Sequence, residues 1–477
     1  MRVEPLLEEG ESVRDYLAKA AHYYQKKPTT LPDELARRHE DRGQVDHAIE
    51  YWSMFKGQKN HLIDSLKVQA MLKSPYIDHK GMLQDHLDWA ADHAVSLPDD
   101  DFVRFRKYDG QRKIRVGYAC CWWDSSTIRG QGIPFIAEHD RFKISPVGYS
   151  LGMCDQSITK HFDEFYDVST LSDLDLAKKI RADEIDVFME FTGFSPHHRF
   201  GTMGARCAPV QISYLNHTGT SGVKNVDYVI ADHTAAPPHI DQYFTEEVYR
   251  LPSTFFVFNY DWDEFPEIAE PPHLKRGYIT FGCFGSQSKV NDGVIKLWAD
   301  VLHAVPNSRL FLRNMGLRTL ENRRFMERRF ARWGIPSSRL RLQPGGTRDE
   351  IKANYNEVDI SFDTWPYCGG NTIAESQWMG VPVITLKGDR FPAAYGASLL
   401  EASGCADLVA NSNDDFIRIS AQLAADSKRI VEYRKKLRGM MVEFGFGDGA
   451  RFARAIEGAY DDMLKRAFDP QRRRKAP

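Results

Sequence analysis

The chain lacks most of the features that would place it outside the cell or in a membrane. It has seven cysteines, an odd number, without a C-x-x-C, and Cys120 and Cys121 are adjacent. This suits neither a secreted disulfide framework nor a structural zinc site, so the thiols are expected to be reduced. No apolar run approaches the roughly 18 residues needed to span a bilayer, and "MRVEPLLEEGESVRDYL" has no basic n-region followed by an apolar stretch. The expectation is a cytoplasmic protein without a membrane span. No H-E-x-x-H and no Cys/His cluster is present, so no metal is expected. Asp173/Asp175 and Asp261/Asp263 form Asp-x-Asp pairs, but Asp173 and Asp175 open a helix, where acidic residues are favoured in any case. Net charge is −3 with Lys and Arg spread along the chain, so no basic face for nucleic acid stands out. Only the tail "RAFDPQRRRKAP" is strongly basic, and it reads as a solvated end.

What is present is a chain of 477 residues, 42% apolar and 27% charged, long enough for two or three domains. Residues 1–105 are rich in helix formers, and "LARRHEDRGQVDHAIEYWSMF" sets Ala36, Gly43, Ala48, Ile49 and Trp52 at the offsets of one tetratricopeptide-type helical hairpin. A plain hairpin capping the next domain fits the same residues. A polar, turn-rich segment, "PDDDFVRFRKYDGQRK", marks a boundary. From Ile114 onward short apolar runs ("IRVGYA", "ISPVGYS", "IDVFMEF", "VQISYL", "DYVIAD") alternate with helical-period stretches, the pattern of a parallel sheet covered by helices. The Pro-rich "EFPEIAEPPHLKRG" interrupts this alternation. It then restarts with "YITFGCF", "RLFLRN", "RLRLQP", "DISFDT" and "PVITL". Two α/β units, over 106–270 and 271–430, with a cleft between them are expected. Amphipathic helices over about 412–468 would pack across both units, with 431–477 as a C-terminal segment.

Three loops hold candidate chemistry. In "DTWPYCGGNTIAESQWMG", a strand ends at Asp363-Thr364, Gly369-Gly370 follow, and a helix opens at Asn371-Thr372. Unpaired N–H groups at a helix start make an anion site, and glycine allows close approach of a phosphate. Glu375, one turn on, is placed to take two hydroxyls of a ribose. Equally, Gly-Gly turns the chain and Asn371 is an N-cap; the residues alone leave both open. In "FGCFGSQSKVND", Ser288 precedes Lys289, so the triphosphate-binding pattern G-x-x-x-x-G-K-[ST] is absent, while Lys289 offers a compact charge for a diphosphate or is a solvated surface lysine. In "CAPVQISYLNHTGTSG", His217 sits in a loop at a strand's carboxyl end, as a general base or as a backbone-bonded residue.

Taken in order, "VGYACCWWDSS", "CAPVQISYLNHTGTSGVKNVDYVIAD", "LWADVLHAVPNSRLFLR", "VDISFDTWPYCGGNTIAESQWMGVPVITL" and "LLEASGCADLVA" resemble the catalytic region of the O-linked N-acetylglucosamine transferase family, including its SPINDLY-like members. "MLKSPYIDHKGMLQDHLDWAADHA" resembles the segment joining tetratricopeptide repeats to that region. The resemblance implies a GT-B fold of two facing Rossmann-like domains behind a short all-α segment. It implies inverting, metal-independent transfer of a sugar from a UDP-linked donor to Ser or Thr of a protein, with no other cofactor. Lys289 then corresponds to a diphosphate-binding lysine, Gly369, Gly370, Asn371 and Thr372 to the phosphate loop, and Glu375 to an acidic residue facing the ribose. The chain departs from the family where "GYACCWWDSSTIRG" lacks a histidine; Asp124 or Ser126 occupies that region, and Asp124 and His217 are the candidates for its task. Gly193-Phe194-Ser195 replaces Gly-His-Thr, Ile351 stands where a base-contacting histidine is usual, and Cys368, Asn371 and Ile373 alter the phosphate loop. A glycan or small-molecule acceptor, or a non-catalytic nucleotide-binding scaffold, are the alternative readings.

Overall fold

A computed structural model describes residues 31–55, 57–97, 105–259 and 265–469. The basic tail beyond 469 and the pair Asp261/Asp263 lie outside these residues. Four helices come first, α1 (Leu31–Asp41), α2 (Val45–Ser53), α3 (His61–Met71) and α4 (His79–His93). Gly43 at φ +75° makes the α1–α2 turn, a left-handed conformation that side chains with a Cβ disfavour. Ala36, Ala48 and Trp52 bury the hairpin against Leu66 and Met71 of α3, a packing that the repeat-like and the plain-hairpin readings share.

The first α/β unit contains β1 (Ile114–Trp122), α5 (Ile133–Ala137), β2 (Ile144–Met153), β3 (Glu164–Asp167), α6 (Asp173–Ala182), β4 (Val187–Glu190), β5 (Val210–Ser213), β6 (Tyr228–Ala231) and β7 (Glu247–Arg250). Its strands are parallel in the order β3-β2-β1-β4-β5-β6-β7. β1 is apolar on both faces: Val116 and Tyr118 enter one core, Ala119 and Cys121 the other. A strand covered by helices on both sides requires this. A single wide turn, Ile128–Gly132, precedes α5. Asp173, at the start of α6, pairs with Arg199 at 2.9 Å and accepts from Thr202, a structural use of that carboxylate.

The second unit follows a short helix α7 (His273–Arg276) and contains β8 (Thr280–Cys283), α8 (Asp292–Ala304), β9 (Arg309–Asn314), α9 (Leu320–Ala331), β10 (Leu340–Pro344), α10 (Arg348–Asn354), β11 (Ile360–Phe362), α11 (Asn371–Trp378), β12 (Val383–Leu386), α12 (Phe391–Ala402) and β13 (Val409–Ala410). Its strand order is β10-β9-β8-β11-β12-β13, again parallel. Reversal of strand order beside β8 opens a crevice at the carboxyl ends of β8 and β11. The register Phe281↔Ile360 sets these two strand ends side by side. Their loops carry Lys289 and Gly369-Gly370.

The Pro-rich connector runs along the second unit: Ala269 N–H donates to Asn356, and His273 Nδ1 lies 2.8 Å from Asp359. The chain ends in α13 (Asn413–Ala425), α14 (Ser427–Phe444) and α15 (Gly449–Phe468). α14 clamps the second unit, with the buried Arg434 guanidinium donating to the Tyr355, Val358 and Met379 carbonyls. α15 returns to the first unit, where Glu457 holds His139 at 2.9 Å, Tyr460 meets the Tyr118 hydroxyl at 3.1 Å, and Phe452 packs on Phe135. Among the described residues, no helix is long and apolar enough to cross a membrane.

Candidate active site

The loops after β8 and β11 face the first unit across a cavity of about 200 Å³. From the second unit it is bordered by Gly285, Ser286, Lys289, Tyr367, Gly370, Asn371, Thr372 and Tyr395. Thr127 and Gln131 of the wide turn, with Leu215, Asn216 and Thr218 after β5, complete the opposite wall.

Lys289 ends a tight turn, Gln287–Lys289. Its ammonium donates to the Cys368 carbonyl at 2.9 Å and stands 4.3 Å from the centre of the Tyr367 ring. Burial pulls its pKa down to about 8, with Asp363 pulling the other way. It is therefore no solvated surface lysine. Next to it, Asn291 donates to the Trp365 carbonyl at 2.7 Å, so the two loops are tied twice.

The carboxylate that organises the phosphate loop is Asp363, which does not stand out in the sequence. One oxygen accepts from the N–H groups of Thr364 and Gly369, at 2.8 and 2.7 Å, and the other from the Thr385 hydroxyl at 2.7 Å. Burial pushes its pKa up. Its only signal is an Asp at a strand end six residues before a Gly pair. The glycines leave room for neighbouring side chains: a Cβ on Gly369 would meet Thr372 Oγ1 at 2.2 Å, and one on Gly370 the Tyr395 hydroxyl at 2.8 Å.

Gly370, not Asn371, is the N-cap of α11, and no side chain caps it. Ala374 N–H makes the first bond within the helix, to Gly370, so the N–H groups of Asn371, Thr372 and Ile373 precede the ladder at the positive end of the helix dipole. The Asn371 side chain is freed to cross the cleft. It accepts from Gln131 Nε2 and donates to the Thr127 hydroxyl at 3.3 Å. Residues 240 or more apart in sequence meet here, and nothing in the sequence signals it.

Glu375 does not border this cavity. It lies one turn along α11, buried with Tyr355, and burial raises its pKa to about 7 against the opposing pull of Arg348 and Lys352 on α10. His217 is also set back. Its Nε2 donates to the Thr220 carbonyl at 2.8 Å, its ring packs on Phe194 and His86, and burial lowers its pKa to about 3. This is the backbone-bonded reading; an imidazole so placed is a poor proton acceptor at neutral pH. Asp124 is exposed, three residues before Thr127, and does not border the cavity. Among the described residues bordering the cavity, none is a carboxylate or a histidine.

A family model described as glycosyl transferase family 41 matches residues 97–271 and 271–446 of the chain. The chain belongs to glycosyl transferase family 41. A family relative in Oryza sativa subsp. japonica, named a probable UDP-N-acetylglucosamine–peptide N-acetylglucosaminyltransferase SPINDLY, is 33% identical over 344 residues, which are 70% of this chain and 37% of the relative. The protein of that name in Arabidopsis thaliana is 32% identical over 368 residues, 75% of this chain and 40% of its own. The chain thus spans about two fifths of the length of the curated relatives it matches. Among solved structures, a mutant of Thermobaculum terrenum O-GlcNAc transferase superposes with a TM-score of 0.86 at 28% identity, over 95% of this chain and 87% of that one. That match and the two parallel sheets establish the GT-B architecture behind a helical segment.

Proposed function

We propose that this family 41 chain transfers a sugar from a nucleoside diphosphate sugar to a hydroxyl of a protein, with UDP-N-acetylglucosamine as the first donor to test. One observation carries the reading: a lysine and the open start of α11 converge on one wall of a cavity whose other wall belongs to the opposite α/β unit. The names of the relatives, which include UDP-N-acetylglucosamine and peptide, supply the choice of donor and acceptor.

In this reading the diphosphate lies between Lys289 and the N–H groups of Asn371, Thr372 and Ile373, replacing the Cys368 carbonyl as the partner of the ammonium. Glu375, set back one turn along α11 from the cavity lining, takes ribose hydroxyls where the nucleoside extends past that lining. The acceptor hydroxyl enters past Thr127 and Gln131 and attacks the anomeric carbon from the face opposite the leaving group. Its oxygen–carbon bond forms as the bond from that carbon to the phosphate oxygen breaks, so configuration inverts. Lys289 and the helix start stabilise the charge that develops on the diphosphate, the largest catalytic effect such a site provides. With His217 and Asp124 off the cavity wall, the hydroxyl proton passes to a phosphate oxygen of the donor. No step in this scheme assigns work to a metal.

Calorimetry with UDP and GDP, followed by mass spectrometry of lysate proteins incubated with each nucleotide sugar, tests the proposal. A discrete mass increment on Ser or Thr is expected. Failure of every nucleoside diphosphate to bind overturns it. The cavity's lack of a carboxylate or imidazole among its described residues favours one second reading, a nucleotide-binding scaffold; tight UDP binding with neither transfer nor donor hydrolysis would establish that instead.

A further inference from the structure

We infer that the α1–α2 turn of the helical segment is a positioning element for Lys289, so that this segment sets donor affinity in addition to covering the α/β units. The inference rests on Lys289 as a diphosphate ligand.

The turn Asp41–Arg42–Gly43, none of whose residues borders the cavity, is wedged against the Gln287–Lys289 turn. Gly43 touches it closely enough that a Cβ would lie 2.3 Å from the Val290 carbonyl oxygen and 2.8 Å from that of Gln287. Gly316 closes the other side: a Cβ there would meet Gln287 Cβ at 2.4 Å and the Asp41 carbonyl at 2.7 Å. Backbone therefore packs on backbone, the least compliant contact a protein makes.

Arg329 of α9 locks the arrangement. Its guanidinium is 3% exposed, and Nη1 donates to the Arg42 carbonyl at 2.9 Å and to the Val290 carbonyl at 3.0 Å. Nε is held by Asp292 at 2.8 Å. One planar group thus spans the helical hairpin and the residue following the donor lysine. The Arg42 side chain adds a bond to Asn322 at 3.1 Å and a pair with Glu321 on α9. Gln287 accepts from Asn314 at 3.2 Å.

The turn that presents Lys289 is thereby supported from one side by the hairpin and from the other by the Cys368 carbonyl. Displacing the hairpin moves Val290 and, one residue away, the ammonium. A shift of about an ångström in a positioning group lowers binding and rate far more than its size suggests. Generic packing between a helical cap and a domain would instead alter stability and leave donor affinity alone. The two cases are separable.

The full chain is titrated with UDP by calorimetry as unaltered protein, Arg329→Lys, Gly43→Ala, Lys289→Ala and the double variant Arg329→Lys with Lys289→Ala, with thermal unfolding of each. Lysine retains the charge of Arg329 but cannot hold two carbonyls and a carboxylate in one plane. UDP affinity is expected to fall roughly tenfold in Arg329→Lys, a fraction of one charge-assisted interaction, and to fall no further when Lys289 is already alanine. A readout free of ligand accompanies it: the rate at which an amine-reactive ester labels Lys289, followed by peptide mass spectrometry, is expected to change severalfold in Arg329→Lys and in Gly43→Ala. If either variant fails to fold, the other decides. A folded variant with unchanged labelling and unchanged UDP affinity overturns the inference, as does an equal affinity loss in the Lys289→Ala background. If the unaltered protein binds no UDP while labelling still responds, the donor assignment fails and the positioning role stands.

Discussion

Replacing Lys289 by methionine should stabilise the ligand-free protein while impairing it. The ammonium pKa is lowered from 10.5 to about 8 by burial, and each unit is worth about 1.4 kcal/mol. Keeping the charge at pH 7 thus costs the fold about 3 kcal/mol. Methionine removes that cost but leaves the Cys368 carbonyl without its donor and the Tyr367 face without its cation, losses of about 1 kcal/mol and about 0.5 kcal/mol. A net gain of about 1 to 2 kcal/mol follows, seen as a rise in the thermal midpoint at pH 7. Between pH 8 and 10.5 the unfolded lysine holds a proton that the folded one has released, so stability of the unaltered protein rises with pH across this window. The variant should lack that rise. UDP affinity should drop roughly 10- to 100-fold, the scale of an ammonium–phosphate bond. In the unaltered protein, affinity should decline as pH passes about 8. A methionine variant that melts earlier and binds UDP as tightly would refute both the buried-charge account and the donor role.

Gly370→Ala is expected to weaken UDP binding about tenfold, because its Cβ would press on the Tyr395 hydroxyl at 2.8 Å. Adding Tyr395→Phe removes that hydroxyl and should restore part of the loss in the same titration. Glu190, at the end of β4, is fully buried and its pKa is raised by burial from 4.5 to about 7. The folded chain therefore holds a proton that the unfolded chain releases in this window, and stability falls as pH rises through it. Glu190→Gln should flatten the difference between urea unfolding at pH 5 and pH 7.5 by up to about 3 kcal/mol. His217→Ala should cost about 2 to 3 kcal/mol of stability through weaker packing on Phe194, while donor turnover per folded molecule stays within about threefold, as it should for Asp124→Asn. A collapse of turnover in either variant would return that residue to catalysis.

The apolar runs read from the sequence became strands wherever both faces of the strand are covered, as in "IDVFMEF" and "DISFDT". The strands missed are Glu164–Asp167 and Glu247–Arg250, at the edges of the first sheet, and the two-residue Val409–Ala410, at the edge of the second. The first two carry polar residues because one side of an edge strand faces solvent. Helix α12 escaped notice for the opposite reason. Residues Phe391–Leu400 are all buried, and a helix apolar all round has no stripe to detect. At the site, the loops bearing Lys289 and Gly370 were legible because strand-to-loop-to-helix junctions have local signatures. Asn371 reads from the sequence as a possible cap because its partners, Thr127 and Gln131, come from the other unit. His217 looked available because its loop is small and hydroxyl-rich; the neighbours that enclose it, His86 and Phe194, come from elsewhere in the chain.

The return of α15 to the first unit has a consequence for biosynthesis. Tyr118, Phe135 and His139 are covered by Phe452, Glu457 and Tyr460, which leave the ribosome more than 300 residues later. Domains generally fold in order as the chain is made, but this one stays open on one face until α15 has emerged. Throughout that interval a sticky aromatic surface is presented to other nascent chains and to chaperones. Stop codons or frameshifts just upstream of Gly449 would then harm the first α/β unit, which is already synthesised.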